Sequence, residues 1–264
     1  MNMQLIQRRS GKAIRAALRI ITVLALVCTV SSCGQGDEAD HAAPSNAQGA
    51  QAGAERLAGS LSERIHLVLG KDSANLKPEQ TEMLNRALEN DGQVSHADYE
   101  QAWRNYQQCM VSKGYQPEPL MRYQDGLYAS TTVRNTLPSK EQEEKFQQDF
   151  GECRSGYVTY VDELYRMAIG NQGLFFEPTV AIVQCLKEKD LVPANYTPQR
   201  FSEERDRYLE LLGEYREEGS ADANARARRE SFTPDFGKAD VMTCMVSNGW
   251  DPPSDERAPW NPLG

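Results

Sequence analysis

Six cysteines and three histidines are the side chains best able to do chemistry in this 264-residue chain, and their positions limit what that chemistry is. The cysteines are Cys28, Cys33, Cys109, Cys153, Cys185 and Cys244; the histidines are His41, His66 and His96. No two cysteines have the close C-x₂-C spacing of a structural zinc site. No H-E-x-x-H, G-x-S-x-G, phosphate loop or G-x-G-x-x-G occurs. A Ser-His-Asp triad needs only adjacency in space, but the three histidines are poor bases by context. His41 lies in a Gly/Ala/Ser-rich stretch, His66 sits among apolar residues as a packed or capping side chain, and His96 falls in a first helical turn facing water. No catalytic residue, metal or cofactor is expected.

Cys33 has a different context. Residues 1–19 carry Arg8, Arg9, Lys12, Arg15 and Arg19 and no acid, and Ile20 to Val30 is apolar except for Thr22 and Thr29. That run is shorter than the roughly 20 residues needed to cross a bilayer, and with its basic flank it reads as a secretory signal. Its end, Val30-Ser31-Ser32-Cys33, resembles the bacterial lipoprotein signal at all four positions: an aliphatic residue, two small ones and the cysteine. The resemblance implies diacylglyceryl transfer to the Cys33 sulfur, cleavage after Ser32, and palmitate-type acyl chains on the first mature residue. Two chains suit stable anchoring, because one binds only marginally. Cys28 leaves with the signal. The expected location is the outer face of the cytoplasmic membrane, with the membrane itself as partner through Cys33.

Charge narrows the function further. The chain has 29 basic and 38 acidic residues; without the five basic residues of the signal, 24 face 38, a net charge of −14 for residues 33–264. Nucleic acid, which needs a basic footprint, is excluded as a partner. Gly34 to Gly59 is rich in Gly, Ala, Gln and Ser, without aromatics. Too little apolar surface is available there to offset ordering, and such a tether reaches about 25–30 Å.

The remaining elements must position the four other cysteines. A short apolar patch at Ile65, Leu67, Val68 and Leu69 is helix or strand. Pro78 starts a helix with Met83, Leu84, Ala87 and Leu88 inward. The stretch Asn90-Asp91-Gly92-Gln93-Val94-Ser95 resembles half a calcium loop, but Ala87 would occupy its first position, where a ligand oxygen is required. A turn followed by a Ser95 cap is the better account. The next helix runs through Tyr99, Ala102, Trp103, Tyr106, Cys109 and Met110 and stops at Gly114. Residues 118–138 are irregular or weakly stranded. Ser139 caps one long helix whose apolar face is Phe146, Phe150, Cys153, Tyr157, Val161, Leu164 and Ala168, with Gly151 and Gly156 kept small by close packing. Its aromatics, with Trp103, Tyr106 and Tyr165, read as core rather than as a ligand groove. Glu141, Glu143 and Glu144 read as a solvated helix start. Helices then follow from Pro178, from Thr197-Pro198 and from about Pro234 to Asn248; residues 219–231 extend a helix or form a loop.

One segment recurs. Cys109-Met-Val-Ser-Lys-Gly114-Tyr115-Gln-Pro117 returns as Cys244-Met-Val-Ser-Asn-Gly249-Trp250-Asp-Pro252, and more weakly as Cys185-Leu-Lys-Glu-Lys-Asp190-Leu191-Val-Pro193. This is the grammar of a helix end: Gly for the left-handed residue, an apolar residue folding back, and Pro to forbid continuation. An even number of cysteines in an exported chain favours two disulfides. Of three pairings, Cys109–Cys153 with Cys185–Cys244 is preferred, because each bond closes within its own half. The predicted fold is mainly α, a disulfide-stapled helical domain of two similar helical halves. Its segments are a cleaved signal (1–32), a disordered tether (33–59), half A (60–172), half B (173–250) and a Pro-rich tail (251–264).

In these segments the chain resembles a loose group of uncharacterised exported lipoproteins of actinobacterial type. They share the anchor signal, the Gly/Ser/Ala tether, C-M-x-x-x-G-aromatic segments and a Glu-Cys helix as at Glu152-Cys153. The resemblance implies an envelope protein or a transporter as partner and specifies no activity. The functional expectation is a membrane-anchored, non-enzymatic binding or interaction module of the cell envelope. The alternatives are an envelope-polymer hydrolase, marked by two carboxylates in a cleft, and the solute-binding subunit of an ABC importer, marked by parallel sheets.

Overall fold

The computed structural model describes residues 54–117, 119–130, 139–250, 259–260 and 263; the Val30–Cys33 segment, Cys28, His41 and most of the tether and tail lie outside them. The described chain is mainly helical, as expected. Its helices are α1 (Leu61–Lys71), α2 (Pro78–Leu88), α3 (His96–Ser112), α4 (Lys140–Tyr157), α5 (Thr159–Gly170), α6 (Pro178–Glu188), α7 (Pro198–Glu217), α8 (Ala223–Ser231) and α9 (Ala239–Ser247). A small antiparallel sheet has strand order β2-β1-β3, built from β1 (Leu120–Arg122), β2 (Tyr128–Ser130) and β3 (Pro259–Trp260). None of the described helices is long and apolar enough to cross a membrane.

Local sequence sets most helix starts. Ser60, Ser95, Ser139 and Thr197 each accept the backbone N–H three residues on, satisfying a donor that the helix leaves orphaned. Pro78, Pro178 and Pro198 occupy first-turn positions, where their missing N–H costs nothing.

Two large apolar clusters form most of the core, with a smaller third of Ala58, Met167 and Leu174. One gathers Ile65, Leu84, Tyr99, Trp103, Tyr106, Leu120, Cys153, Val161 and Leu164 from the first half. The other gathers Val183, Leu186, Phe201, Tyr208, Leu212, Val241 and Cys244 from the second. Of the aromatics assigned to the core, Trp103 and Tyr106 are buried, while Phe146, Phe150, Tyr157 and Tyr165 are only partly buried and pack against it. The disulfides are Cys109–Cys153, joining α3 to α4, and Cys185–Cys244, joining α6 to α9, the preferred pairing in both cases. Their sequence separations of 44 and 59 residues correspond to about 4 kcal/mol each in the chain-entropy model.

Several expectations need correction. The long helix after Ser139 is broken at Val158, which has φ −135° and ψ −27°. Its stranded backbone groups find partners on α2. Gln80, fully buried, donates to Ser155 O at 2.7 Å and accepts from Tyr160 N at 3.0 Å, while Lys77 N donates to Gly156 O at 2.9 Å. Gly156 is close-packed, since a Cβ there would lie 3.0 Å from Lys77 Cγ; Gly151 has open space around its Cβ position. The ordered chain also begins before residue 60. Leu57 N donates to Leu174 O at 2.8 Å and Phe176 N to Glu55 O at 2.9 Å, so residues 55–59 belong to the folded body. The last helix starts at Ala239, because Pro234 precedes a turn in which Asp235 accepts from Gly237 N and Lys238 N.

Candidate functional site

The recurring segment forms three closely matching helix ends. Tyr115 N donates to Met110 O, Leu191 N to Leu186 O and Trp250 N to Met245 O; Gly114, Asp190 and Gly249 N each donate to the carbonyl three residues back. Gly114, Asp190 and Gly249 are left-handed, at φ 94°, 53° and 79°. This is the Schellman pattern, which satisfies two terminal carbonyls. The likeness between the halves is carried by these ends. Their connections differ: Cys185 and Cys244 join two such ends to each other, whereas Cys109 joins one to Cys153 in the body of α4.

The third helix end packs at the seam between the two clusters. Asn248 Nδ2 donates to Gly170 O at 2.8 Å, and Gly170 is obligatory, since a Cβ there would lie 1.8 Å from Ser247 Oγ. Thr243 Oγ1 donates to Asp125 Oδ2 at 2.8 Å, tying α9 to the β1–β2 turn. Arg166 lies across the seam. Its Nε donates to Asp162 Oδ1 at 2.8 Å, its Nη1 to Val246 O at 2.6 Å and its Nη2 to Tyr128 O.

Asp162, a buried carboxylate, also accepts from Tyr99 Oη at 2.9 Å, and Tyr128 N donates to Tyr99 Oη at 3.0 Å. Burial, and then the Asp162 charge, push the Tyr99 hydroxyl well above its ordinary pKa, so it stays protonated and donates. A buried ion pair of this kind contributes little net stability, but breaking it leaves an uncompensated charge at about 3–5 kcal/mol.

Beside this network is a cleft of about 260 Å³ lined by Trp103, Ala129, Arg154, Asp162, Arg166, Val246 and Gly249. Its residues come from α3, β2, α4, α5 and the end of α9. Arg154 lies 5.3 Å from the Trp103 ring centre and 5.8 Å from that of Phe150, with its side chain 29% exposed. Among the described residues its ion-pair partner is Asp162, at 4.0 Å. The Trp103 N–H is buried beside the Tyr99 hydroxyl without reaching hydrogen-bond geometry. The cleft contains one carboxylate, already bound by Tyr99 and Arg166, so it offers no acid–base pair.

Two of the three histidines, His66 and His96, lie among the described residues. His66 is exposed on α1 rather than packed. His96 Nδ1 lies 3.0 Å from Tyr165 Oη, which donates to Asp125 O at 3.1 Å, so the imidazole N–H is the donor to Tyr165. The same histidine requires Gly126, whose Cβ would lie 2.5 Å from His96 Cε1. The calcium-like segment is a turn with Asp91 and Gly92 left-handed. Ser95 caps α3, and Asp98 is taken by Arg86 at 2.6 Å. Among the described residues no group of three or more His, Cys, Asp or Glu is placed to hold a metal.

Sequence reasoning missed Arg154, Asp162 and Arg166. Asp162 and Arg166 stand four apart on α5 and read as a surface ion pair; the one available clue is that they flank the buried Val161 and Leu164. No family model, curated protein or solved structure matches this chain.

Proposed function

We propose that the chain is an exported lipoprotein, anchored by Cys33 at the outer face of the cytoplasmic membrane, whose helical body is a non-enzymatic binding or interaction module. The reading rests on the fit of Val30-Ser31-Ser32-Cys33 to the lipid-attachment pattern at the end of an apolar run. Two disulfides in the body are in keeping with an oxidising compartment. The hydrolase alternative needs two carboxylates about 5–10 Å apart in a cleft, whereas the seam cleft has Asp162 alone. The importer alternative needs parallel sheet, and the described sheet is antiparallel. Intact mass of the membrane-extracted protein tests the anchor. The expected species begins at Cys33 with a diacylglyceryl thioether and is lost in Cys33→Ala; an unmodified species beginning elsewhere overturns it. Cross-linking on whole cells, followed by purification through the mature chain, tests the module. Recovery of a specific envelope component supports it, and turnover of a cell-wall polymer by the purified protein refutes it.

A further inference from the structure

We infer that the seam cleft binds the carboxyl terminus of a peptide, with Arg154 taking the carboxylate and Asp162 the adjoining amide N–H. The inference rests on the binding-module reading and names the ligand class for it. Arg154 is the unsaturated group. Its guanidinium makes no hydrogen bond among the described residues, although the aromatic faces of Trp103 and Phe150 hold it in place. A planar fork of this kind matches a carboxylate with two parallel bonds, and stacking on rings fixes the fork before any ligand arrives.

Asp162 offers the complementary group. Its Oδ1 is occupied by Tyr99 and Arg166, while the approach recorded for Oδ2 is that of Arg154 at 4.0 Å, beyond hydrogen-bond length. Among the described residues the cleft therefore presents a cationic donor set and an acceptor oxygen side by side, neither with a hydrogen bond of its own and 4.0 Å apart. A peptide terminus carries the matching pair, a carboxylate and the N–H of the same residue. The charged groups lining the cleft are Arg154, Arg166 and Asp162, a net single positive charge that an anion completes. The volume of 260 Å³ falls below the roughly 300–1,000 Å³ of sites for drug-sized ligands, so the cleft accepts one terminal residue of a longer chain. Ala129 and Val246 supply its apolar lining, which suits a small apolar side chain at that terminus.

The test is calorimetric titration of the mature, detergent-solubilised chain with N-acetyl-alanyl-alanine, its C-terminal amide, a pentapeptide ending in the same two residues, and acetate. The acid and the pentapeptide are expected to bind, with the amide about 10- to 100-fold weaker. Acetate, lacking the amide N–H, is expected to be weak as well. Arg154→Met is expected to reduce the acid to the level of the amide and leave the amide unchanged, and Arg154→Lys to fall between. Retained disulfides and an unchanged thermal transition show that these variants fold. Equal binding of acid and amide, no binding of either, or undiminished binding by Arg154→Met overturns the inference. Binding of acetate as tightly as the acid overturns it too, leaving an adventitious anion site. Such failures leave lipidation at Cys33 and envelope capture untouched, so they are separable from failure of the module reading.

Discussion

The ends of α3 and α9 are spelled almost alike, Cys-Met-Val-Ser-Lys-Gly-Tyr and Cys-Met-Val-Ser-Asn-Gly-Trp, and they close with the same pair of backbone hydrogen bonds. Their surroundings are opposite. At the α3 end Val111 is 40% exposed, Cys109 is partly exposed, and Lys113 reaches out to Asp149 and Glu152. At the α9 end Val246 is 1% exposed, Cys244 is buried, and Asn248 is locked onto Gly170. The segment therefore encodes a stop and a sulfur position, and the residues around it decide whether that stop becomes surface or seam. The cap alone is not diagnostic, since α7 ends in the same way at Gly219 without a cysteine.

This contrast can be broken in several ways. The largest effects are expected from the disulfides, each about 4 kcal/mol in the chain-entropy model. Under limiting reductant Cys109–Cys153 should open first, because Cys109 is partly exposed and Cys185 and Cys244 are buried; timed alkylation with peptide mapping reads the order, and prior release of Cys185–Cys244 would refute it. Arg166→Met should cost about 3–5 kcal/mol by leaving Asp162 unpaired, whereas Lys113→Met at the outer, solvent-screened end should cost much less. Denaturant unfolding of both variants gives the difference. Val246→Ser should cost about 2 kcal/mol and Val111→Ser no more than about 0.5 kcal/mol; equal losses would mean that the two ends are not differently buried. Gly114→Ala and Gly249→Ala should each lose about 1–2 kcal/mol, since both are left-handed with no neighbour near the Cβ position. Asp190→Gly should gain somewhat less than that, from the same conformational cause.

The smallest effect is confined to acid. Hydrogen bonds from Lys145 and Lys113, and then from Tyr115, hold the Asp149 carboxyl well below its ordinary pKa. A depressed carboxylate stabilises the fold above its unfolded value, near 3.9, and that contribution fades as pH falls toward the folded value. Asp149→Asn should therefore flatten the stability profile below about pH 4. An unchanged acid limb would show that the cluster does not couple to folding.

What was legible in the sequence was mostly local. Ser95, Ser139 and Thr197-Pro198 announce helix starts within three or four residues, and Gly114 and Gly249 announce ends. The disulfide pairing followed from keeping each bond within its half. What was hidden depends on distant partners. The break at Val158 is supported by Gln80, 75 and 80 residues from the groups it serves. Arg166 acquires its role from Val246, 80 residues away. Arg154 sits in the amphipathic pattern of α4, and nothing within α4 reveals that the Trp103 ring lies beneath it. A helical period reports that a residue lies on one face of its helix and is silent on which helix meets that face.

The pairing of Arg56 with Phe175 has a mechanical consequence. Residues 55–57 pair with the loop that follows α5 through two backbone hydrogen bonds. Tension applied at residue 54 is delivered to that two-bond clasp before it reaches α1, whose first turn is held by Ser60. Under load applied at residue 54 the clasp would yield ahead of the disulfide-closed helices, freeing a few residues while the seam and its cleft stay intact.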